Sequence, residues 1–454
     1  MKQTRHPIYR GAFLLTATGL ICRFIGFYYK IFLSRIIGPK ELGLYQLSLP
    51  MLAMGIAFAN SGIHTALSKY VAGESLHGET SAKRYLFTGL LISLGLSTLF
   101  CVPCYLFTPQ IASFFFGEPS ITPLLHILIF CIPLECIHGC INGYYYGLQK
   151  AAIPSAGQCI EQFSRVGSVF GMYYILIRSG LPFTKIHAML ALLIGEALAT
   201  LYYLTALSLS RSTARGNTKT QAIQTIKNSG QFGRMVRQLS GMAYPVTANR
   251  LLMTGLNSLE NIMIPQKLTA FGMNNTQALS IYGIYSGMAM PMIYFPMVIS
   301  NSIAVMLLPS ISKAKEEHRD SYIAHAINLG FFLCMLLGFL CSFFFYFTGP
   351  FMGERIYHNE VAGIYIRTLS WLCPFLFLGT TMNSILNGLG KTKDTFCLSI
   401  TGALIRLGFV QFGIHRFGFR AFLLGILISQ ILVSLLAFLH LTRIYTSPQK
   451  RPHP

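Results

Sequence analysis

Apolar residues in this chain come in long, nearly unbroken runs, separated by short polar stretches such as "KYVAGESLHGETSAKR" at 69–84. They lack the one-sided, 3.6-residue rhythm of helices that are half in water. A membrane crossing takes about 20 apolar residues, and on that measure the runs predict about twelve helices. They cover 11–36, 44–67, 85–107, 124–148, 153–177, 186–209, 242–265, 279–308, 323–347, 364–386, 396–414 and 421–442. The fold expected is an all-α polytopic membrane protein. The first run is full length and leads into further spans, so it reads as a retained helix rather than a cleaved secretory signal.

Composition agrees with this pattern. Charged residues make up 11% of the chain and hydrophobic ones 53%, against roughly 25% charged in soluble domains. The net charge of +21 would suit nucleic acid only if it formed a basic face on a soluble domain. Here the basic residues sit mainly in short loops, so no nucleic-acid partner is expected. Most of those basic residues lie on the side of the N-terminus, and the positive-inside rule then puts both termini in the cytoplasm of a bacterial cell membrane. Most of the 11 cysteines fall inside spans, where a free thiol behaves as a small apolar group. Cys101 and Cys104 form a lone Cys-x-x-Cys with no βαβ context, so packing is favoured over redox chemistry.

A shift of 241 residues aligns the chain with itself. Pro50, Met51, Asn60 and Ser61 fall on Pro291, Met292, Asn301 and Ser302. The same shift pairs Pro133, Asn142, Gly147, Lys150, Arg165 and Gly167 with Pro374, Asn383, Gly388, Lys391, Arg406 and Gly408. One offset across separated regions marks an internal duplication. Each copy has an even number of spans, so the two repeats are parallel. The expected organisation is a six-helix N-terminal lobe over 1–210, a basic cytoplasmic linker over 211–240, a six-helix C-terminal lobe over 241–446 and a tail over 447–454. Duplicated halves are a recurrent transporter plan, with substrate between them and access alternating as one rocks against the other.

An ionisable side chain at bilayer depth costs at least about 2.5 kcal/mol and is a functional candidate by default. Arg23 lies roughly 18 Å along its helix into a core about 30 Å thick, near the midplane. Lys30 is two turns further on the same face, with Gly26 between; it can serve the site or snorkel to the interface. Glu161 and Arg165 are spaced to pair along one helix. Arg250, Thr254, Asn257 and Asn261 form a polar stripe that suits a cavity. Glu135, Glu196 and Glu260 are further in-span acids, and Arg406 repeats the position of Arg165. Arg367 is near enough to its span end to reach the interface.

Basic residues outnumber acids inside the spans, so the interior can satisfy its acids and still present positive charge. That implies an anionic ligand, and the guanidinium fork suits phosphate. Arg23, Lys30, Arg250, Asn257 and Asn261 are therefore the candidate substrate-binding residues; Glu161, Arg165, Glu135, Glu196, Glu260 and Arg406 are a candidate buried charge network. His64, His126, His138 and His187 read as single packing residues without a second ligand at metal spacing. No metal, no catalytic residue and no cofactor are expected.

The segments "SRIIGPKELGLYQLSLPM" (34–51), "SGIHTALSKYVAGE" (61–74), "INGYYYGLQKAAIPSAGQCIEQFSRV" (141–166) and "NSILNGLGKTKD" (383–394) resemble the stage V sporulation protein B branch of the polysaccharide-transport flippases. Their superfamily also holds the murein lipid II flippases and the multidrug and toxin extrusion antiporters. The resemblance runs along the whole chain, and Glu161 to Arg165 is its most specific element. It implies two six-helix lobes around a central cavity and transfer of an undecaprenyl-diphosphate-linked oligosaccharide from inner to outer leaflet. It also implies a cavity-facing role for Arg23. The chain departs from the murein flippases at Tyr29, where they carry a second first-span arginine.

The expected function is thus a lipid-linked oligosaccharide flippase, not an enzyme. Its expected partners are the lipid-diphosphate sugar, the bilayer and cell-wall synthesis proteins. A cation-coupled multidrug antiporter and a noncatalytic envelope or sporulation scaffold stay open as alternatives, and so does Na+ or H+ as a coupling ion. A membrane glycosyltransferase is disfavoured, because such enzymes need a sizeable outer domain and the outer loops here are short.

Overall fold

The computed structural model describes residues 5–75, 79–212 and 229–445, with side chains over 14–75, 81–209 and 232–445. Among the described residues every regular element is helical. The tail expected at 447–454 and residues 213–228 of the expected linker lie outside them. Residues 229–240 are helical, forming the opening turns of Ser229–Ala270. Their Gln, Arg, Met and Leu are good helix formers, and no proline interrupts them.

Among the described residues nine segments are long and apolar enough to cross a membrane. The first, Leu14–Glu74, is 61 residues long and covers the first two expected crossings. Its helix is broken at Gly38, whose φ of 75° belongs to a region that glycine enters without steric cost, and again at Asn60. Two further expected crossings lie on helices Ala152–Arg178, of 27 residues, and Ser229–Ala270, of 42. They are long enough to span but fall outside the nine, because they carry the polar in-span residues.

The chain divides into two compact units. One combines Met1–Tyr29 with Leu44–Ser258, the other Lys30–Gly43 with Leu259–Pro454. In the first, helix Thr122–Gly147 packs against Ser61–Glu74, Glu79–Leu106 and Lys185–Ser212. Its core gathers Leu67, Val71, Tyr144, Tyr145 and Tyr203. In the second, Cys373–Gly388 packs against Met297–Glu316, Asp320–Tyr357 and Phe419–Tyr445, over a core with Phe377, Leu378, Met382 and Ile385.

The 241-residue offset reappears in backbone detail inside each unit. Pro133 cannot donate to the carbonyl of Ile129; the Cys101 thiol donates to it instead at 3.5 Å. Pro374 likewise frees the carbonyl of Ser370, and the Ser342 hydroxyl donates to it at 2.7 Å. All three positions match at the same offset. After the central helices, the amides of Leu148, Gln149 and Lys150 donate to Tyr144, Tyr146 and Tyr145, and those of Leu389, Gly390 and Lys391 to Ile385, Asn387 and Leu386. This paired closure satisfies carbonyls that a helix end would leave bare. Its left-handed residue is Gln149 in one copy, at φ 58°, and Gly390 in the other, at φ 73°.

Within the second unit, Asn359 caps Glu360–Leu369 by accepting from the Ala362 amide at 3.0 Å. The Arg35 guanidinium closes the preceding helix, donating to the carbonyls of Arg355, at 2.8 Å, and Ile356.

Candidate functional site

Three helices of the first unit bring five ionisable side chains together. Helix Thr122–Gly147 presents Glu135 and His138, three residues apart and so on one face. Helix Ala152–Arg178 presents Glu161 and Arg165, and Lys185–Ser212 presents Glu196. The close approach of the last two depends on Gly195. A Cβ there would lie 3.0 Å from the Arg165 Cβ and 3.1 Å from the Glu161 carbonyl, so a larger residue would lift Glu196 away. The Thr200 hydroxyl ties its helix to the neighbour by donating to the Leu134 carbonyl at 3.2 Å.

The result is a continuous chain of charges. Arg165 donates to a Glu161 carboxylate oxygen and to Glu196 Oε1 at 3.2 Å. Glu196 Oε2 faces His138 Nε2 at 3.4 Å, and Glu135 Oε2 approaches the same nitrogen at 2.7 Å. Glu196 and His138 are each 4% exposed, so water does not screen them. Tyr203 packs its ring edge-on to His138, with centroids 5.6 Å apart. Its hydroxyl donates to the Pro154 carbonyl at 3.2 Å.

The second unit holds a simpler pair. Arg406 Nε donates to both oxygens of Glu260, at 2.8 and 3.0 Å. Arg165 and Arg406 are duplicates by position, yet the acids that meet them come from different places. Residue 402, where a copy of Glu161 would stand, is glycine, and Glu260 arrives from Ser229–Ala270.

The structure therefore joins Glu135, Glu161, Arg165 and Glu196 in one cluster and Glu260 with Arg406 in another. Among the described residues, no ion pair ties Arg23 or Arg250 to either cluster. Arg23, Lys30, Arg250 and Asn257 are exposed and Asn261 is half-buried. The helix of Arg23 packs on Ala152–Arg178 through Cys22, whose thiol lies 3.7 Å from the Gln158 carbonyl, and through Gly26 beside Gln162. Arg23 lies to the side of that contact. Among the described residues no acid pairs with Arg23 or Arg250. Arg367 lies over the Tyr346 ring at 4.4 Å and donates to its hydroxyl.

His138 is the residue that sequence reading passed over. It is not a lone packing histidine, because two carboxylates face its ring. The local signal was Glu135-x-x-His138, a spacing that puts both groups on one helix face; Glu196, far along the chain, could be joined only by the fold.

The polysaccharide biosynthesis protein family matches residues 8–315, and this chain belongs to it. The MatE family also matches, over residues 257–410. The chain is 26% identical to stage V sporulation protein B of Bacillus subtilis (strain 168) over 94% of its own length and 82% of that protein's. It is 21% identical to the lipid II flippase MurJ of the same organism, over 88% of this chain and 76% of that one. In fold it is similar to an inward-facing multidrug resistance MATE family transporter of the MOP superfamily, with a TM-score of 0.69 at 16% identity over 94% and 98% of the two chains. The chain is thus an all-α, multi-pass membrane protein of the polysaccharide biosynthesis protein family, with the fold of that transporter.

Proposed function

We propose that the protein is a flippase for a polyprenyl-diphosphate-linked sugar, moving it from the inner to the outer leaflet with both of its own termini in the cytoplasm. Arg23 and Arg250 carry the assignment. Both are cations on exposed faces of the first unit, without an acidic partner among the described residues. Every in-span acid discussed above is already engaged with Arg165, His138 or Arg406. An exposed, uncompensated guanidinium at bilayer depth is costly unless an anion meets it, and a diphosphate supplies the fork-matching oxygens that Arg prefers. Lys30, Asn257 and Asn261 add donors along the same two helices. The relative named as a lipid II flippase supports this substrate class.

A second reading, a cation-coupled multidrug antiporter, has support from the MATE fold and from the acid-rich cluster around Glu196. The two differ in the ligand bound. In nanodiscs, the wild-type protein should retain undecaprenyl diphosphate, and Arg23→Ala should weaken retention about 10- to 100-fold, the value of one charge-assisted contact. Arg23→Lys should recover part of it. Equal retention by all three proteins, together with cation-driven drug uptake by the wild type, would favour the antiporter.

A further inference from the structure

The cluster around His138 is unbalanced in charge and has buried ligand atoms without hydrogen bonds. Glu135, Glu161 and Glu196 bring three carboxylates, and Arg165 is the single fixed cation among them. With a neutral imidazole the group carries two negative charges around a buried centre, Glu196 and His138, flanked by half-buried Glu135 and Glu161, and uncompensated charge at bilayer depth is disfavoured. Arg165 is spent on Glu161 and Glu196 Oε1. The other end is not satisfied: both ring nitrogens of His138 and Glu196 Oε2 are buried without a hydrogen-bond partner. Glu135 Oε2 is close to His138 Nε2 at 2.7 Å, but out of line for a hydrogen bond.

We propose that Glu135, His138 and Glu196 form a binding site for one divalent transition-metal cation of the zinc class. Their ligand atoms all lie within 4.8 Å of one another. Two ligands bound at zinc's usual lengths around a tetrahedral centre stand about 3.4 Å apart, and His138 Nε2 and Glu196 Oε2 are 3.4 Å apart already. Glu135 needs only to swing back from the imidazole. The imidazole selects against sodium, magnesium and calcium, which take oxygen ligands, and towards zinc, cobalt and their neighbours. A divalent ion brings the two positive charges that the cluster lacks. The Glu-x-x-His pair on one helix with a carboxylate from another is also an established way for helical bundles to hold such ions. Arg165 then acts as a positioning residue, holding Glu196 by its other oxygen.

The test uses tag-free, full-length protein stripped with a chelator and titrated with Co2+, whose visible absorption reports tetrahedral nitrogen and oxygen ligands. One equivalent should bind and be displaced by Zn2+. His138→Ala and Glu196→Gln should each weaken binding at least about tenfold, while His415→Ala, remote in sequence and in the other unit, should leave it unchanged. Zn2+ should raise the melting temperature of the wild type in proportion to its logarithmic excess over Kd, reversibly with chelator, where Na+ and Mg2+ do not. The site is overturned by Co2+ affinity that survives both substitutions. If the variants do not fold, it is overturned by a wild type whose melting temperature ignores Zn2+ or follows Na+ equally.

Discussion

At the scale of single residues, the buried charges show how little can be removed from this protein without consequence. Arg165→Met should leave half-buried Glu161 and buried Glu196 without their cation. A loss of about 3–5 kcal/mol is expected, read as a lower melting temperature in detergent. Gly195→Val should force apart the two helices that carry this pair, at about 1–3 kcal/mol. Arg367→Ala, which removes a cation over the half-buried Tyr346 ring and a hydrogen bond to its hydroxyl, should change stability by about 1 kcal/mol or less. Gln149 runs the other way. It holds a left-handed conformation that costs roughly 1–2 kcal/mol for a residue with a Cβ, where its counterpart is Gly390. Gln149→Gly should therefore raise the melting temperature slightly, and a drop would contradict the strain assigned to that turn. Arg165 with Glu161 was legible from an i,i+4 spacing, because that pairing is local. Glu196 as the shared third partner was not, since it depends on Gly195 thinning a helix-helix contact.

At the scale of elements, apolar run length located the helices well, but it was blind to what interrupts them. Gly38 breaks the first long helix, and Asn60 separates the next pair; neither changes mean hydropathy. Proline positions were visible, yet their repair was not. Cys101 and Ser342 each donate to a carbonyl that a proline leaves bare, and the duplication predicts that they are interchangeable. Cys101→Ala and Ser342→Ala should each cost about 1 kcal/mol, whereas Cys101→Ser should cost little. Equal melting temperatures for Cys101→Ala and wild type would remove that role. This also accounts for Cys101 without redox chemistry, although Cys-x-x-Cys first suggested a pair.

At the scale of the whole molecule, the internal repeat was legible because Pro, Asn, Gly and Arg recur at one offset, and the matched turns and capped carbonyls are its physical content. The duplication did not extend to the charges. Arg165 and Arg406 kept their places while their acids diverged: the first unit gained a histidine and three carboxylates, and the second a single Glu260. Shared geometry with divergent electrostatics suits a fold in which both units pack alike while, among the described residues, the larger charge cluster sits in the first. Membrane span and helical class followed from composition; the proposed substrate did not, because that proposal turns on which cations are left exposed rather than on how many there are.

The transport assignment rests on Arg23 more than on any other residue. Its most direct test is the rate at which lipid II, loaded in one leaflet of proteoliposomes, becomes accessible from the other, measured for wild type, Arg23→Ala and Arg23→Lys against protein-free vesicles. Exposure that the wild type accelerates, Arg23→Ala abolishes and Arg23→Lys partly restores is the predicted result. Acceleration that is the same in all three proteins would contradict the role given to this arginine, and no acceleration by the wild type would contradict the proposed flipping of a diphosphate-linked lipid.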